Sequence, residues 1–400
     1  MHGRNADAGL ARGEPSTAHA SARVEGIDVA RGLAGLIMIG GHATHAWTSP
    51  EAKDTVAYGV TRLFATLPLP AFLVLAGAAV AWRVDAAARR GEDSVDVRRR
   101  VAWRGIQIVL WGYAVSALYA LVDGTRGIES LLRADVLHVI GLSIAAVAWL
   151  GIRPSRARGV RARLARHAAR TAEGPPDPAR LLYTTLVLGV AVTIACPFIA
   201  SAAPATTGPL RFAVALFADV PGITLMPFVP LAAWLCAGVG AATLMLRARD
   251  RVGDRSPSGA PTGTLVALAA AALAVSLVTA PLTPTGITRA DPAVWLNVAD
   301  LAARGVLVLA AGALLARAVR GRTRTALLRL GRGSLVAYVF HIPFCYGVLG
   351  TPLAERLTVP EALLAATALA AASYLAVHAR DLFPWGVAPR QHAGRALTRR

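Results

Sequence analysis

Charge is scarce in this chain. Of its 400 residues 16% are charged, against about 25% in an ordinary soluble domain, while 55% are hydrophobic and the mean hydropathy is +0.51. A water-soluble globule is excluded. Cysteine is rarer still: Cys196, Cys236 and Cys345 are the full set, and each falls in an apolar run. Three thiols cannot form a disulfide framework, and in such surroundings they act as small hydrophobes rather than redox or zinc groups. Lysine is confined to Lys53, and acidic residues number 23 against 42 basic ones, giving a net charge of +19. In a soluble chain that excess would suggest nucleic acid; in a membrane chain it reports topology instead, and no nucleic-acid partner is expected.

What the chain has is long apolar runs. A spanning helix needs about 20 predominantly apolar residues. Ten runs bounded by charge, Pro or Gly approach that length, at roughly 27–48, 62–82, 104–122, 135–152, 181–203, 222–246, 262–281, 294–316, 333–350 and 361–379. Residues 1–26 are polar and contain no signal-peptide core. With the N-terminus placed inside, the inner segments carry 33 of the basic residues and the outer loops 7, while Arg31 and Arg304 lie within spans. Short loops rich in arginine stay cytoplasmic, so this asymmetry supports an all-α polytopic fold with both ends inside. The expected organisation is a cytoplasmic tail (1–26), a transmembrane domain (27–379) with a basic inner loop at 153–180, and a basic cytoplasmic tail (380–400). The RARLARHAAR stretch of that loop reads as a membrane-skimming helix able to attract anionic lipid. No internal repeat argues for an inverted-repeat architecture.

Ionisable groups inside spans are costly and are therefore functional candidates by default. In the first span, IDVARGLAGLIMIGGHATHAW, residues Asp28, Arg31, Gly35, Met38, His42 and His45 share about a 100° arc at 100° per residue. Arg31 and His42 are separated by about 16 Å at 1.5 Å per residue. In the fourth span Asp135 and His138 lie one turn apart. In the eighth, Asn297, Asp300 and Arg304 share a face, and the last two can pair. In the ninth, His341 shares a face with Ser334 and Tyr338; Tyr338 alone reads as packing. Topology sorts these groups by depth. Towards the outside lie His42, His45, Asp135, His138 and Asp300, with His341 deeper; towards the inside lie Arg31, Arg83, Arg98, Arg99, Arg100, Arg104 and Arg332. Imidazoles with carboxylates suit proton transfer, and arginines suit a phosphate-bearing ligand. Pro68, Pro70, Pro227 and Pro230 are expected to break helices and open a path between the two layers.

The string IDVARGLAGLIMIGGH, with Asp28, Arg31 and His42 in the pattern D-x-x-R-x10-H, resembles the opening of membrane acyltransferases of the bacterial O-antigen and peptidoglycan O-acetylase type. The chain more closely resembles the related heparan-alpha-glucosaminide N-acetyltransferase type, through PAFLVLAGAAVAW (70–82), RRRVAWRG, ADVLHVIGLS (134–143) and LGRGSLVAYVFHIPFCYG (330–347). The resemblance implies transfer of an acyl group, usually acetyl, from cytoplasmic acyl-CoA to a hydroxyl or amine of a sugar on the outer face. Arg31 and His42 map onto that family's first-helix arginine and histidine. His45 is a second candidate base, and the choice between them stays open at this level.

The expected site therefore has two ends. Arg31, Arg83, Arg100, Arg104 and Arg332 hold the phosphates of acyl-CoA. His42 or His45 takes the acceptor's proton, with Asp135, His138, Asp300 and His341 in support and Asp135 or Asp300 fixing the imidazole tautomer. Direct transfer and an acyl-histidine intermediate both remain open. No metal is expected, because the first-helix histidines have no carboxylate within a turn. The arginine and alanine bias suggests a GC-rich bacterial genome, hence the cytoplasmic (inner) membrane, with membrane lipid and a saccharide acceptor as partners and a homo-oligomer possible on an apolar helix face. The rival reading is a proton-coupled transporter, which would use the intramembrane His, Asp and Arg but has no need of a basic inner rim.

Overall fold

The structure is a computed structural model describing residues 24–122, 128–155, 174–253, 259–284 and 288–382. The two expected tails and the RARLARHAAR stretch lie almost wholly outside these residues. The described residues are all-α, with three isolated β-bridges besides. In chain order the helices are α1 (Glu25–Trp47), α2 (Pro50–Lys53), α3 (Val56–Ala65), α4 (Pro68–Arg89), α5 (Ser94–Val122), α6 (Ile128–Leu131), α7 (Val136–Gly151), α8 (Pro178–Ala202), α9 (Leu210–Ala215), α10 (Phe228–Val252), α11 (Thr262–Leu282), α12 (Val294–Ala318), α13 (Gly321–Arg332), α14 (Ser334–Cys345) and α15 (Val359–Leu382).

Nine of the ten expected spans each fall on one of these helices, and the expected 62–82 span covers the end of α3 and most of α4. Seven stretches are long and apolar enough to cross a membrane: α3 joined to α4, α5, α8, α10, α11, α12 and α15. Helices α7 and α14 are apolar but short, at 16 and 12 residues. Helix α1 has the length, at 23 residues, but Asp28, Arg31, His42 and His45 make it too polar to face lipid. Its position resolves that conflict. It packs against α3, α4, α12, α13, α14 and α15 and so occupies the centre of its half of the bundle. By contrast α11, with no charged residue, is the most lipid-facing of the seven, with 11% of its apolar window buried.

Small residues allow these helices to approach closely, as is usual where lipid supplies no hydrophobic drive to association. A Cβ on Gly331 of α13 would lie 1.8 Å from the Asp28 carbonyl oxygen, and one on Gly238 of α10 would lie 2.0 Å from the Val74 carbonyl of α4. The prolines correct one expectation. Pro68 and Pro70 occupy the first turn of α4, where a missing N–H costs nothing, and Pro227 precedes α10, whose first turn carries the extended Val229 and Pro230. Pro68 and Pro70 thus start α4 just after its break from α3, while a kink at Val229 interrupts the first turn of α10.

Gly238→Ala should lower the melting temperature in detergent, by a loss on the order of 1–3 kcal/mol for an overpacked contact. Gly240→Ala, two residues along the same helix with open space for a Cβ, should not; equal melting temperatures for the two variants would contradict this packing.

Candidate functional site

Helix α14 lays His341 against His42 of α1. His42 Nδ1 lies 2.9 Å from His341 Nε2, and the rings stack with centroids 5.2 Å apart. His341 is completely buried, and its Nδ1 is 2.9 Å from the Ala337 carbonyl one turn back. These contacts fix proton positions. A carbonyl only accepts, so His341 Nδ1 carries the hydrogen and, in the neutral ring, its Nε2 is a bare acceptor. His42 Nδ1–H therefore donates to it, leaving His42 Nε2 with a free lone pair. Tyr346 stands edge-on to His42 at 5.3 Å and Tyr338 edge-on to His341 at 5.9 Å. The arrangement supplies a half-buried base with its tautomer set from behind.

His45, one turn further out, is exposed and hydrogen-bonded to Tyr58 of α3 at 3.0 Å. It lies on the rim rather than in the relay. Arg62, one turn beyond Tyr58 on α3, is within electrostatic reach of both His42 and His45.

Neither carboxylate expected to orient the base touches it. Asp135 is the N-cap of α7, accepting from the N–H groups of Leu137 at 2.9 Å and His138 at 3.4 Å, while the His138 ring folds back to within 3.1 Å of the Asp135 N–H and 2.8 Å of its carboxylate. This is a capping box, which satisfies N–H groups that would otherwise be left orphaned in lipid. The His138 ring packs edge-on against Tyr113 at 4.3 Å, and its Nε2 has no partner among the described residues. Asp300 pairs with Arg304 at 2.7 Å and accepts from Ser276 of α11 at 2.5 Å, and Arg304 donates to Thr66 at 3.1 Å. That network ties α12 to α11 and to the α3–α4 junction. The tautomer-fixing partner of His42 is thus another histidine, because α14 rather than α7 or α12 lies against that face of α1.

At the inner end the arginines fall into two groups. Arg332 of α13 donates to Asp28 at 3.1 Å, and Arg31 lies 3.7 Å from the same carboxylate. Arg83 (3.0 Å), Arg90 (2.7 Å) and Arg100 surround Glu92. Arg104 is exposed, with no ion-pair partner among the described residues. In both groups guanidiniums outnumber the carboxylate, leaving positive charge for phosphate oxygens. Partial burial pushes the Glu92 carboxyl up, but the hydrogen bond from Arg90 and the charges of Arg83, Arg90 and Arg100 outweigh it, so it is held below the ordinary carboxylate range. Between the Asp28 group and His42, on the same stripe, Gly35 is buried, yet a Cβ built on it meets no atom within 4 Å among the described residues. Free space borders α1 between its two polar ends.

Tyr58, Arg62 and Tyr346 are site neighbours that the sequence reading missed. The available signal was the amphipathic spacing of Tyr58, Arg62 and Ala65, which the expected 62–82 span cut in two.

The fold and site define a multi-pass α-helical membrane protein with a buried imidazole pair near one face and paired arginines at the other. Residues 23–164, a little over a third of the chain, match the family described as heparan-alpha-glucosaminide N-acetyltransferase, catalytic. The match supports membership of this acetyltransferase family and spans Arg31, Arg83, Arg100, Arg104, His42, His45, Asp135 and His138; Asp300, Arg332 and His341 lie beyond it. No curated protein gives a significant match.

Because the folded Glu92 carboxyl titrates below its unfolded value, its contribution to stability is present above the ordinary carboxylate pKa of about 4.3 and is lost as pH falls through the folded value. The melting temperature of the wild type should therefore fall more steeply below about pH 4.5 than that of Glu92→Gln; parallel curves would show that this arginine cluster contributes nothing.

Proposed function

We propose that this protein transfers an acyl group, acetyl in the family it matches, from cytoplasmic acyl-CoA to a hydroxyl or amine of a sugar-containing acceptor on the outer face of a bacterial inner membrane. The observation carrying this reading is the one-way hydrogen-bond chain from His42 through His341 to the Ala337 carbonyl, which leaves His42 Nε2 ready to accept a proton.

The inner arginines supply bidentate donors for the donor's phosphates: Arg31 and Arg332 around Asp28, Arg83 and Arg100 around Glu92, and the exposed Arg104. The open space beside Gly35 leaves room for the donor's narrow arm to reach His42. There the acceptor oxygen or nitrogen attacks the thioester carbonyl and His42 Nε2 takes its proton. A carbon–oxygen or carbon–nitrogen bond forms, the carbon–sulfur bond breaks, and the proton passes from the imidazolium to the departing thiolate. While His42 is charged, its Nδ1–H still donates to His341 Nε2, so the relay holds the imidazolium in position by a hydrogen bond, without placing a formal negative charge in the membrane. His341 is a positioning residue, and His45, Asp135, His138 and Asp300 serve the rim and the scaffold.

His42→Ala should reduce acetyl transfer from labelled acetyl-CoA by about 10²- to 10⁴-fold, the usual contribution of a positioned general base, with an unchanged melting temperature. His341→Ala should lose less and also displace the acidic limb of the pH–rate profile, which a packing defect would not do. Full activity in His42→Ala with loss in His45→Ala would move the base one turn outward.

Gly35→Phe, which fills the space beside α1, should reduce transfer at least tenfold while leaving CoA-dependent thermal stabilisation intact. Undiminished transfer in this variant would remove the path from the mechanism.

A further inference from the structure

We propose that the acceptor is a lipid-phosphate-linked sugar, whose sugar reaches His42 sideways from the outer leaflet while its hydrocarbon chain remains in the bilayer along α3. This rests on the acyl-transfer reading above.

The outer end of α1 is capped by another segment. The segment after α14 is stitched onto the outer end of α1: the N–H groups of Glu355, Arg356 and Leu357 donate to the carbonyls of Ala46 and Trp47 at 2.9–3.1 Å, and Ser49 N–H donates back to the Leu357 carbonyl at 2.9 Å. Lys53 pairs with Glu355 at 3.0 Å, and the Trp47 indole donates to the Phe344 carbonyl at 3.1 Å. Glu355 takes φ 53°, a conformation rarely adopted by a non-glycine residue, at the point where its N–H and carboxylate meet α1 and α2.

The lateral side is built differently. The joined stretch of α3 and α4, Val56–Arg89, has 34 residues; with Arg83 at the inner end, the about 20 apolar residues of a crossing reach back only to the end of α3, so the first turns of α3 belong in the outer interface. One face of α3 serves the site: Tyr58 bonds His45, and Ala65 packs on Gly41, one residue from His42. Its other face presents Val56, Val60, Leu63 and Phe64, all exposed, at the i, i+4, i+7 spacing of an apolar stripe. On the other side of His42 the exposed Tyr346, Val348 and Leu349 continue the apolar border. A mouth opening into water would not be edged this way.

Charge selects the linkage. Arg62 sits on the site-facing side of α3, one turn after Tyr58, exposed and with no carboxylate partner among the described residues, within electrostatic reach of His42, His45 and Tyr346. A guanidinium beside a pair of imidazoles, on a helix whose other face is an apolar stripe, matches a molecule in which phosphate joins a sugar to a hydrocarbon chain.

The test uses the full chain in lipid nanodiscs with labelled acetyl-CoA and two acceptors, glucosaminyl dodecyl phosphate and methyl glucosaminide. The expected kcat/KM ratio is at least tenfold in favour of the dodecyl phosphate. Membrane partitioning alone would also raise that ratio, but it does not depend on α3. Accordingly Arg62→Gln and the double variant Val60→Ser/Phe64→Ser should each lower the ratio at least threefold, a comparison that is internal to each variant and insensitive to how much of it folds. Equal kcat/KM for the two acceptors, or a ratio that either variant leaves unchanged, overturns the inference while leaving acyl transfer standing. Transfer to neither acceptor overturns acyl transfer itself and this inference with it.

Discussion

The rest of the structure depends on the cost of placing ionisable side chains in hydrocarbon. Helix α1 carries Asp28, Arg31, His42 and His45 on one stripe, and no lipid-facing position tolerates that set. The bundle therefore closes around it: α3, α4 and α12 to α15 all pack on α1, and glycines such as Gly331 admit neighbouring backbone to within contact distance. Helix α1, polar along one stripe, is enclosed by its neighbours, and Asp28 and His42 are drawn inward by the same step.

Enclosure also explains how the His42 ring is oriented. A carboxylate behind His42 would add a formal charge to a half-buried site, with a desolvation cost of several kcal/mol. A neutral imidazole hydrogen-bonded to a helix carbonyl does the orienting at lower cost, because the Ala337 carbonyl is already available within α14. The carboxylates are used where charge is tolerated or needed: Asp28 and Glu92 among arginines at the inner end, Asp135 at a helix N-terminus, and Asp300 in an ion pair.

The two ends of α1 are finished differently. The inner end keeps more guanidinium than carboxylate, as suits a charged ligand arriving from water. The outer end is sealed by backbone hydrogen bonds to residues 355–357 and flanked by an interfacial helix with an apolar outer face.

Sequence by itself determined the parts governed by the solvent. The apolar runs, the all-α class and the polar stripe of α1 follow from hydropathy and helical periodicity, which act locally along the chain. The separation of arginines from imidazoles along α1 followed too, since it is only distance along one helix. Partnership was decided by the tertiary structure alone. That His42 meets His341, 299 residues away, and not Asp135 or Asp300, depends on which helix packs against which face of α1. Asp135 and His138 carry the same residue types whether they form a dyad or a helix cap, and only the start of α7 at Val136 settles it. The prolines likewise read as breaks or as starts according to where their helices begin. Periodicity fixes the face on which a side chain sits, but the neighbour across that face is set by packing between segments distant in the chain.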